Sequence, residues 1–305
     1  MFIAIRYRNT YGVIPGGLIV PGSLIVLLTI SPLWFITVIG LSGIVYALYQ
    51  RWFRRTDYKR RTPMYVLACL SLVLSSLVAL LYNHWGWLEF SLDVQVGSIL
   101  PGVIAFNLSK QDFKRVSQAI ALCTSLTLAG IIGILGLLDI LGIPHIHQLV
   151  STGNPVMTLN YPLVHFVLAL GVGYLIYRYQ DIRSGGYMVA PIVALAMFDP
   201  LTAFHFVIGC VLVYHITQRF CERTLTVGLN RYVVVLCLST LYLWGTELWI
   251  QSMMPGIVIA HGSSYLLNIA MLSCVNDAIL YHSKSVLKYM TLLVGTSMVG
   301  ILALS

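Results

Sequence analysis

The sequence predicts an all-α fold, a polytopic membrane helix bundle of about 10–11 apolar segments in two parallel repeats with Pro-Gly-broken helices. Three observations predict this architecture. Of the 305 residues, 58% are hydrophobic and only 9% are charged, whereas a soluble domain carries about 25% charged residues. Apolar stretches long enough to cross a bilayer as helices recur along the whole chain. Part of the first half of the sequence also recurs in the second half.

We expect eleven apolar segments, two of which are short for a full crossing. Segments 96–109 and 185–198 indicate re-entrant, tilted or broken helices, whose backbone needs surrounding protein to satisfy its hydrogen bonds. An outer-membrane barrel is not expected, because barrel strands alternate over short segments and these runs do not. The expected segments are 12–30, 32–50, 64–82, 96–109, 116–138, 162–177, 185–198, 200–217, 232–250, 253–281 and 286–304.

The net charge of +8 is explained by orientation in the membrane. If residue 1 lies in the cytoplasm and every segment crosses, the inside loops carry all 18 Lys and Arg residues. Basic residues mark cytoplasmic loops. The sequence therefore predicts a multi-pass protein of the bacterial cytoplasmic (inner) membrane whose basic loops face the cytoplasm. No nucleic-acid-binding motif accompanies the charge, so nucleic acid is not expected as a partner.

The chain repeats itself at a shift of 168 positions. Residues 32–71 then lie on 200–239, and twelve of those 40 positions are identical. The identities include a polar set that shared apolar composition does not produce: Gln50/Gln218, Arg51/Arg219, Arg55/Arg223 and Thr56/Thr224.

Counting the crossings predicts that both repeats run in the same direction through the membrane, about a pseudo-twofold axis along its normal. The predicted boundaries are 1–140 for the first repeat unit, 141–161 for an extracytoplasmic linker and 162–305 for the second repeat unit. Segment 162–177 leads the second unit, and we expect the first unit to lack such a leading helix.

Proline and glycine residues inside the apolar segments are the main candidates for a functional site. Proline removes a backbone donor and glycine permits unwinding. Helices broken at corresponding places in two repeats point to a binding or transport site, while kinks and tight packing are the alternative interpretation. The candidate residues of a substrate path are Pro15, Gly16, Gly17, Pro21, Gly22, Pro101, Gly102, Asn107, Gly185, Gly186, Pro191, Pro255 and Gly256.

The basic loop 51–61 is a candidate docking surface for a cytoplasmic partner or an acidic polymer. The alternative is a topology signal that contacts anionic lipid, worth about 1 kcal/mol per basic residue near the surface. Repetition of part of the loop in the second unit favours docking. The candidate docking residues are Arg51, Arg54, Arg55, Arg219 and Arg223.

Glu247 and Asp277 are the most membrane-embedded acids and are candidates for function on that ground. The sequence contains no nucleotide-binding or hydrolase motif in a plausible context, and we expect no catalytic, cofactor-binding or metal site. No loop exceeds about two dozen residues, so none can form a nucleotide-binding domain. Any ATP-driven chemistry would need another subunit.

Two stretches of the first unit contain motifs of a known family. Arg8-Asn-Thr-Tyr-Gly-Val-Ile-Pro15-Gly-Gly-Leu-Ile-Val-Pro21-Gly22 is similar to an R-T-G-I-L-P-A-G-L-V-V-P-G stretch near the start of the PgsC/CapC family of poly-gamma-glutamate capsule synthesis membrane proteins. Gly97-Ser-Ile-Leu-Pro101-Gly-Val-Ile-Ala-Phe-Asn107-Leu-Ser-Lys-Gln111 is similar to its later V-I-V-P-G-L-I-A-N-T-I-Q-R-Q stretch. The second unit carries the resemblance weakly, and the chain has double the length of a typical member.

The resemblance implies an accessory membrane subunit. It would work with a cytoplasmic Mur-ligase-like ATP-dependent amide ligase and an extracytoplasmic capsule subunit, and the complex would make and export an acidic polymer, gamma-linked polyglutamate. Two alternatives stay open. Parallel repeats with broken helices also suit a secondary transporter or flippase that acts alone. The other alternative is a non-conducting membrane scaffold that holds the ligase and the outer partner together.

Overall fold

The computed structural model describes residues 2–15, 19–53, 62–86, 97–140, 164–180, 189–197, 199–254, 264–281 and 283–302. Every element of regular structure in these ranges is helical, which confirms the all-α prediction. The chain divides into two compact units, Met1–Ile146 and His147–Ser305. Each unit contains six of the helices described.

The first unit is a bundle around a buried apolar cluster that includes Trp34, Val38, Leu100 and Ile104. The third helix continues into a π-helical turn, Tyr49–Phe53. The helices of this unit are α1 Phe2–Tyr11, α2 Val20–Ile30, α3 Pro32–Leu48, α4 Thr62–His84, α5 Leu100–Lys110 and α6 Phe113–Ile140.

The second unit contains α7 Val164–Gln180, α8 Val189–Ala196, α9 Pro200–Thr224, α10 Leu229–Met253, α11 Ser264–Tyr281 and α12 Ser283–Leu302. Its helices pack in the same pattern as those of the first unit. Helix α3 packs on α2, α4 and α5, helix α5 also packs on α2, α4 and α6, and helix α6 packs on α1 and α2. Each of these pairs recurs between the helices numbered six higher. The two units therefore share one arrangement of helices.

The helix starts at corresponding positions are built alike. Ser31 caps α3, where its hydroxyl accepts a hydrogen bond from the Trp34 amide at 3.3 Å, and Pro32 is the first helical residue. Asp199 lies 168 positions later and caps α9 by accepting from the amides of Leu201 and Thr202. Serine or aspartate before proline is the expected start of a helix, because the side chain satisfies an amide that has no partner within the helix.

Five of the described helices are long and apolar enough to cross a membrane, namely Pro32–Phe53, Thr62–Tyr82, Phe113–Gly133, Pro200–Thr224 and Asn230–Ile250. Large apolar side chains lie exposed along them, among them Ile36, Leu80, Phe204 and Leu241. The polar side chains Ser71 and Ser75 are instead buried. An apolar exterior around buried polar groups is the pattern of a helix bundle in lipid. The chain is a multi-pass membrane protein.

Several boundaries differ from the sequence-based expectation. The segment expected at 12–30 is not one helix, because α1 ends at Tyr11 and α2 begins only at Val20. Helix α1 packs on α6 as α7 packs on α12, so a short leading helix is present in the first unit and the expectation that it is missing was wrong. Segment 253–281 is helical from Ser264 among the described residues.

Candidate functional site

The first unit contains two short helices that begin at the predicted proline-glycine pairs. Pro21 and Pro101 each lie in the first turn, of α2 and of α5, and both helices are 11 residues long. At 1.5 Å per residue each is about 16 Å long, which is about half of a 30 Å hydrocarbon core. The structure therefore bears out broken helices at these two places. Gly16 and Gly17 lie outside the described residues.

The start of α5 lies near mid-depth in the bundle. The hydroxyls of Ser71 and Ser75 both donate to the backbone carbonyl of Ser98, at 2.7 and 3.1 Å. These serines lie about 14 and 20 Å along α4 from its first residue, within a helix about 34 Å long. A carbonyl freed by unwinding is costly in lipid unless the protein satisfies it. The two serines supply that compensation.

Gly102 is required by the close approach of α5 to α4. A Cβ atom added there would lie 2.6 Å from the backbone oxygen of Leu67 and 2.9 Å from Cα of Ala68. Backbone atoms cannot rotate away, so only glycine fits without separating the two helices. Pro101 and Gly102 are both buried. Here the tight-packing interpretation of the glycine holds and a helix begins at the proline; a binding or transport site at this break stays a prediction.

Hydrogen-bond donors dominate the interior at this level. Neither α2 nor α5 has a side-chain cap at its N-terminus, where Ile19 and Ile99 adopt nearly the same backbone angles. The indole of Trp34 is fully buried, and its Nε1–H has no hydrogen-bond partner among the described residues. A Cβ atom on Gly97 would lie 2.8 Å from that Nε1, so glycine lets the chain before α5 approach the indole.

These donors define what we call the break site: the N-terminus of α5 with Gly97, Trp34 and the serine pair. The N-terminus of a helix carries a partial positive charge, which favours anionic or carbonyl oxygens. At the start of α5, Pro101 has no N–H, and the amides of Gly102 and Val103 donate to the carbonyl of Ile99. Asn107 lies further along α5 and donates from Nδ2 to the backbone carbonyl of Val103 at 2.8 Å. It therefore belongs to the same helix but lies about 10 Å from the start of α5.

A side-chain clamp joins the two proline-glycine stretches at the other end of α5. Gln111 accepts a hydrogen bond from the amide of Ile14 at 3.0 Å and donates to its carbonyl at 3.5 Å. The adjacent residue Pro15 is buried. The clamp places residues 13–15, after the basic end of α1, beside the basic start of α6. This is consistent with the predicted grouping of both basic segments at one membrane face.

The second unit reproduces this arrangement in part. Ser239, which corresponds to Ser71, donates to Oδ1 of Asn268 at 2.5 Å, and Asn268 donates to Thr240 at 2.7 Å. Ser71 therefore contacts the chain just before α5, and the equivalent Ser239 contacts the first turns of α11. Pro191 is buried within α8, a helix of eight residues. Gly185, Gly186, Pro255 and Gly256 lie outside the described residues.

The predicted docking residues lie at helix ends. Arg51 and Arg219 occupy equivalent positions and are both exposed, and each is followed by an exposed aromatic side chain, Trp52 or Phe220. Arg223 is exposed one turn later on α9. Arg54 and Arg55 lie outside the described residues. An exposed arginine beside an exposed aromatic residue is thus a feature of both units.

Three polar groups of the interior were not predicted as groups from sequence, although Asp277, a member of the third, was a candidate on its own. One is the Trp34 indole. The second is His205 of α9, whose ring nitrogens lie 3.2 Å from the hydroxyls of Tyr242 and Thr246. The third joins Arg231, Asn276 and Asp277 in the second unit. Hydrophobic periodicity gives no signal for them, because each depends on which distant helices meet. Within the described ranges no group of three His, Cys, Asp or Glu residues could hold a metal ion.

Comparison with known proteins identifies the family. Comparison with curated proteins and with solved structures finds no match. The family model of capsule biosynthesis CapC matches residues 1–117 and 168–304. These two matched segments agree with the predicted tandem duplication and together span most of the chain. The chain belongs to the capsule biosynthesis CapC family, as a tandem-duplicated, multi-pass membrane protein involved in capsule biosynthesis.

Proposed function

We propose that this protein is the membrane subunit of a poly-gamma-glutamate synthase and export complex. It anchors a cytoplasmic Mur-ligase-like ATP-dependent amide ligase at the basic face of the bacterial cytoplasmic membrane. It assists passage of the anionic polymer toward an extracytoplasmic capsule subunit. Family membership supports the capsule role, and the break site of the first unit is the observation that carries the export role.

The break site supports export because it places hydrogen-bond donors near mid-depth in the bundle, without a lysine or arginine side chain beside them. Among the described residues of α3, α4 and α5, no Lys or Arg lies near Ser71 along the helix axes. Because Trp34, Ile99 and Leu100 are buried, a carboxylate or amide oxygen of a passing polymer would meet the N-terminus of α5 and the Trp34 indole only when α5 moves away from α3. Such contacts are weak enough for release, which conduction requires. An inside-negative potential also drives each negative charge outward by about 2.3 kcal/mol per 100 mV.

The repeated surface Arg51-Trp52 and Arg219-Phe220 supports the anchoring role. Both residues of each pair are exposed at the end of a membrane helix. Arginine and aromatic residues are enriched at protein–protein interfaces relative to the rest of the surface. A soluble ligase with an acidic or aromatic-binding patch would dock there, and two equivalent pairs offer it two attachment points.

Deletion of this chain with the ligase and outer subunit retained tests the proposal. We expect surface polymer to be lost and to return when the chain is supplied from a plasmid. Unchanged surface polymer in the deletion strain would refute the proposed function.

Anchoring is tested separately by charge reversal. Arg51→Glu combined with Arg219→Glu should reduce co-purification of the ligase, while Lys284→Glu, an exposed basic residue outside the repeated surface, should not. If wild type, the double variant and Lys284→Glu each recover the same amount of ligase, docking at the repeated surface is contradicted.

Liposomes that contain the purified protein alone distinguish the transporter alternative. Within the proposed complex, polymer enters the lumen only when ligase and ATP are present. Movement of a small substrate by the lone protein would favour a self-contained secondary transporter or flippase. Loss of ligase co-purification in the Arg51→Glu and Arg219→Glu double variant, with no other defect, would favour a non-conducting scaffold.

A further inference from the structure

A buried arginine in the second unit has hydrogen-bonding capacity that its neighbours do not use. Arg231 is the third residue of α10 and is 9% exposed, and it is the one buried Lys or Arg among the residues that the structure describes. Its Nε donates to Oδ1 of Asn276 at 3.1 Å. No hydrogen bond or ion pair to its two Nη groups is present within the described part of the chain.

Asn276 and Asp277 fix the arginine in place. The Asn276 amide donates from Nδ2 to Oδ1 of Asp277 at 3.3 Å, while its Oδ1 faces the guanidinium. This amide orientation is the chemically consistent one, since a carboxylate only accepts and a guanidinium only donates. The two residues are 0% and 1% exposed. Asn276 is thus held so that it binds Nε and leaves the Nη edge of Arg231 open.

The site lies at the basic end of the second unit. Residues 225–228 connect α9 directly to α10, and residue 282 connects α11 to α12. The hydrogen bond between Arg231 and Asn276 brings the first turn of α10 beside the last turns of α11. Four exposed basic residues lie on the helix ends that meet there, namely Arg219, Arg223, Lys284 and Lys288. Their summed field attracts an anion toward the buried guanidinium.

We propose that Arg231, positioned by Asn276 and Asp277, binds one carboxylate group of an acidic polymer at the face where the polymer enters. This proposal rests on the proposed function. Two parallel N–H groups on the Nη edge match the two oxygens of a carboxylate, which a lysine ammonium cannot do. A lipid phosphate, tied to its acyl chains, reaches the lipid-facing rim more easily than a side chain that is nine-tenths buried.

The site is absent from the first unit. At the shift of 168 positions, the residue that corresponds to Arg231 is Pro63. The two repeats therefore differ at this end of the bundle, and the proposal predicts one carboxylate site per chain.

Binding of a defined oligomer tests the proposal. Full-length protein in phosphatidylcholine nanodiscs is titrated with gamma-linked pentaglutamate, and the dissociation constant is measured by calorimetry. Arg231→Gln and Arg231→Lys should each weaken binding about tenfold or more, the loss expected for charge-assisted hydrogen bonds. Arg178→Gln is the matched control, because it removes an exposed charge of the second unit that lies on α7, outside the helix ends at the site, and should change binding by less than about threefold. Arg231→Lys keeps the charge, so it also controls for folding.

The outcomes separate this site from the proposed function. Equal binding by wild type and Arg231→Lys would overturn the site while leaving the deletion test of the proposed function untouched. Arg231-dependent binding of oligogalacturonate but not of pentaglutamate would support the carboxylate site and refute the glutamate polymer. Loss of co-purified anionic lipid in Arg231→Gln, with unchanged pentaglutamate binding, would assign the arginine to a lipid headgroup and overturn the proposal.

Discussion

Replacing Gly102 with alanine tests whether α4 and α5 approach each other as closely as the structure has them. The added Cβ would lie 2.6, 2.8 and 2.9 Å from the backbone O and C of Leu67 and from Cα of Ala68. Real Cβ contacts are not this short, and all three atoms belong to the backbone of α4. The helices must therefore separate, and overpacking of this kind costs about 1–3 kcal/mol.

Gly43→Ala provides the matched control for this substitution. Gly43 is exposed on α3, and a Cβ atom there would meet nothing within 4 Å. Alanine in place of a helical glycine stabilises by about 0.5–1 kcal/mol. Both glycines are helical, so this gain applies to both variants and cancels. The two variants should therefore differ in stability by about 1–3 kcal/mol, with Gly102→Ala the less stable.

The assay compares apparent unfolding temperatures of the two purified variants in one detergent and at one heating rate, since membrane proteins commonly unfold irreversibly. We expect Gly102→Ala to unfold below wild type and Gly43→Ala at or above it. If Gly102→Ala unfolds at the temperature of Gly43→Ala or higher, the close approach of α5 to α4 is wrong, and the break site loses its packing basis.

Three further predictions concern other described contacts. Ser71→Ala with Ser75→Ala should destabilise by about 1–3 kcal/mol, because the Ser98 carbonyl loses both hydroxyl donors; a double variant that unfolds with wild type would contradict this. Trp34→Phe removes the indole N–H and leaves space in the core cluster, so it should lower the unfolding temperature and also lower the surface polymer per folded protein; undiminished polymer per folded protein would exclude this donor from the export path. Asp199→Ala should cost about 0.5–2 kcal/mol through loss of the α9 cap, measured by thermal unfolding; Asp199→Ser, which can cap as Ser31 does, should restore most of it.

Much of the fold could be predicted because lipid imposes simple rules on the sequence. Long apolar runs with few charges predicted the helices, and the polar identities around Arg51 and Arg219 predicted the duplication. The short α5 followed from a short apolar segment and from Pro101, which cannot sit in a helix interior without breaking a hydrogen bond. The parallel direction of the two repeats and the sidedness of the basic loops stay predictions.

The late start of α2 and the presence of α1 could not be predicted from hydropathy. Residues 12–18 are apolar enough to continue a helix, whereas Gly12 adopts a positive φ of 69° and ends α1. Residues 2–11 contain Arg6 and Arg8, which makes them too polar to be recognised as a membrane segment. The backbone conformation of Gly12 therefore separates α1 from α2, and packing on α6 accounts for the presence of α1.

The interior polar groups depended on tertiary structure. Arg231 was expected in a cytoplasmic loop, because the apolar segment was expected to begin at residue 232. Helix α10 in fact begins at Leu229, which brings Arg231 inside the bundle and opposite Asn276. A shift of three residues at one helix end changed an ordinary loop charge into a buried one. No periodicity in the sequence reports such a contact between residues 45 positions apart.

Duplication within one chain has a consequence for how this bundle can change. In a homodimer every substitution occurs in both copies, so symmetry forbids a residue that is useful on one side and harmful on the other. Fusion removes that restriction. At the shift of 168 positions, Trp34 aligns with Thr202, Thr37 with His205 and Pro63 with Arg231. Each repeat unit therefore holds polar groups that the other unit lacks. The two repeat units of one chain can therefore take different functions while they keep the same arrangement of helices.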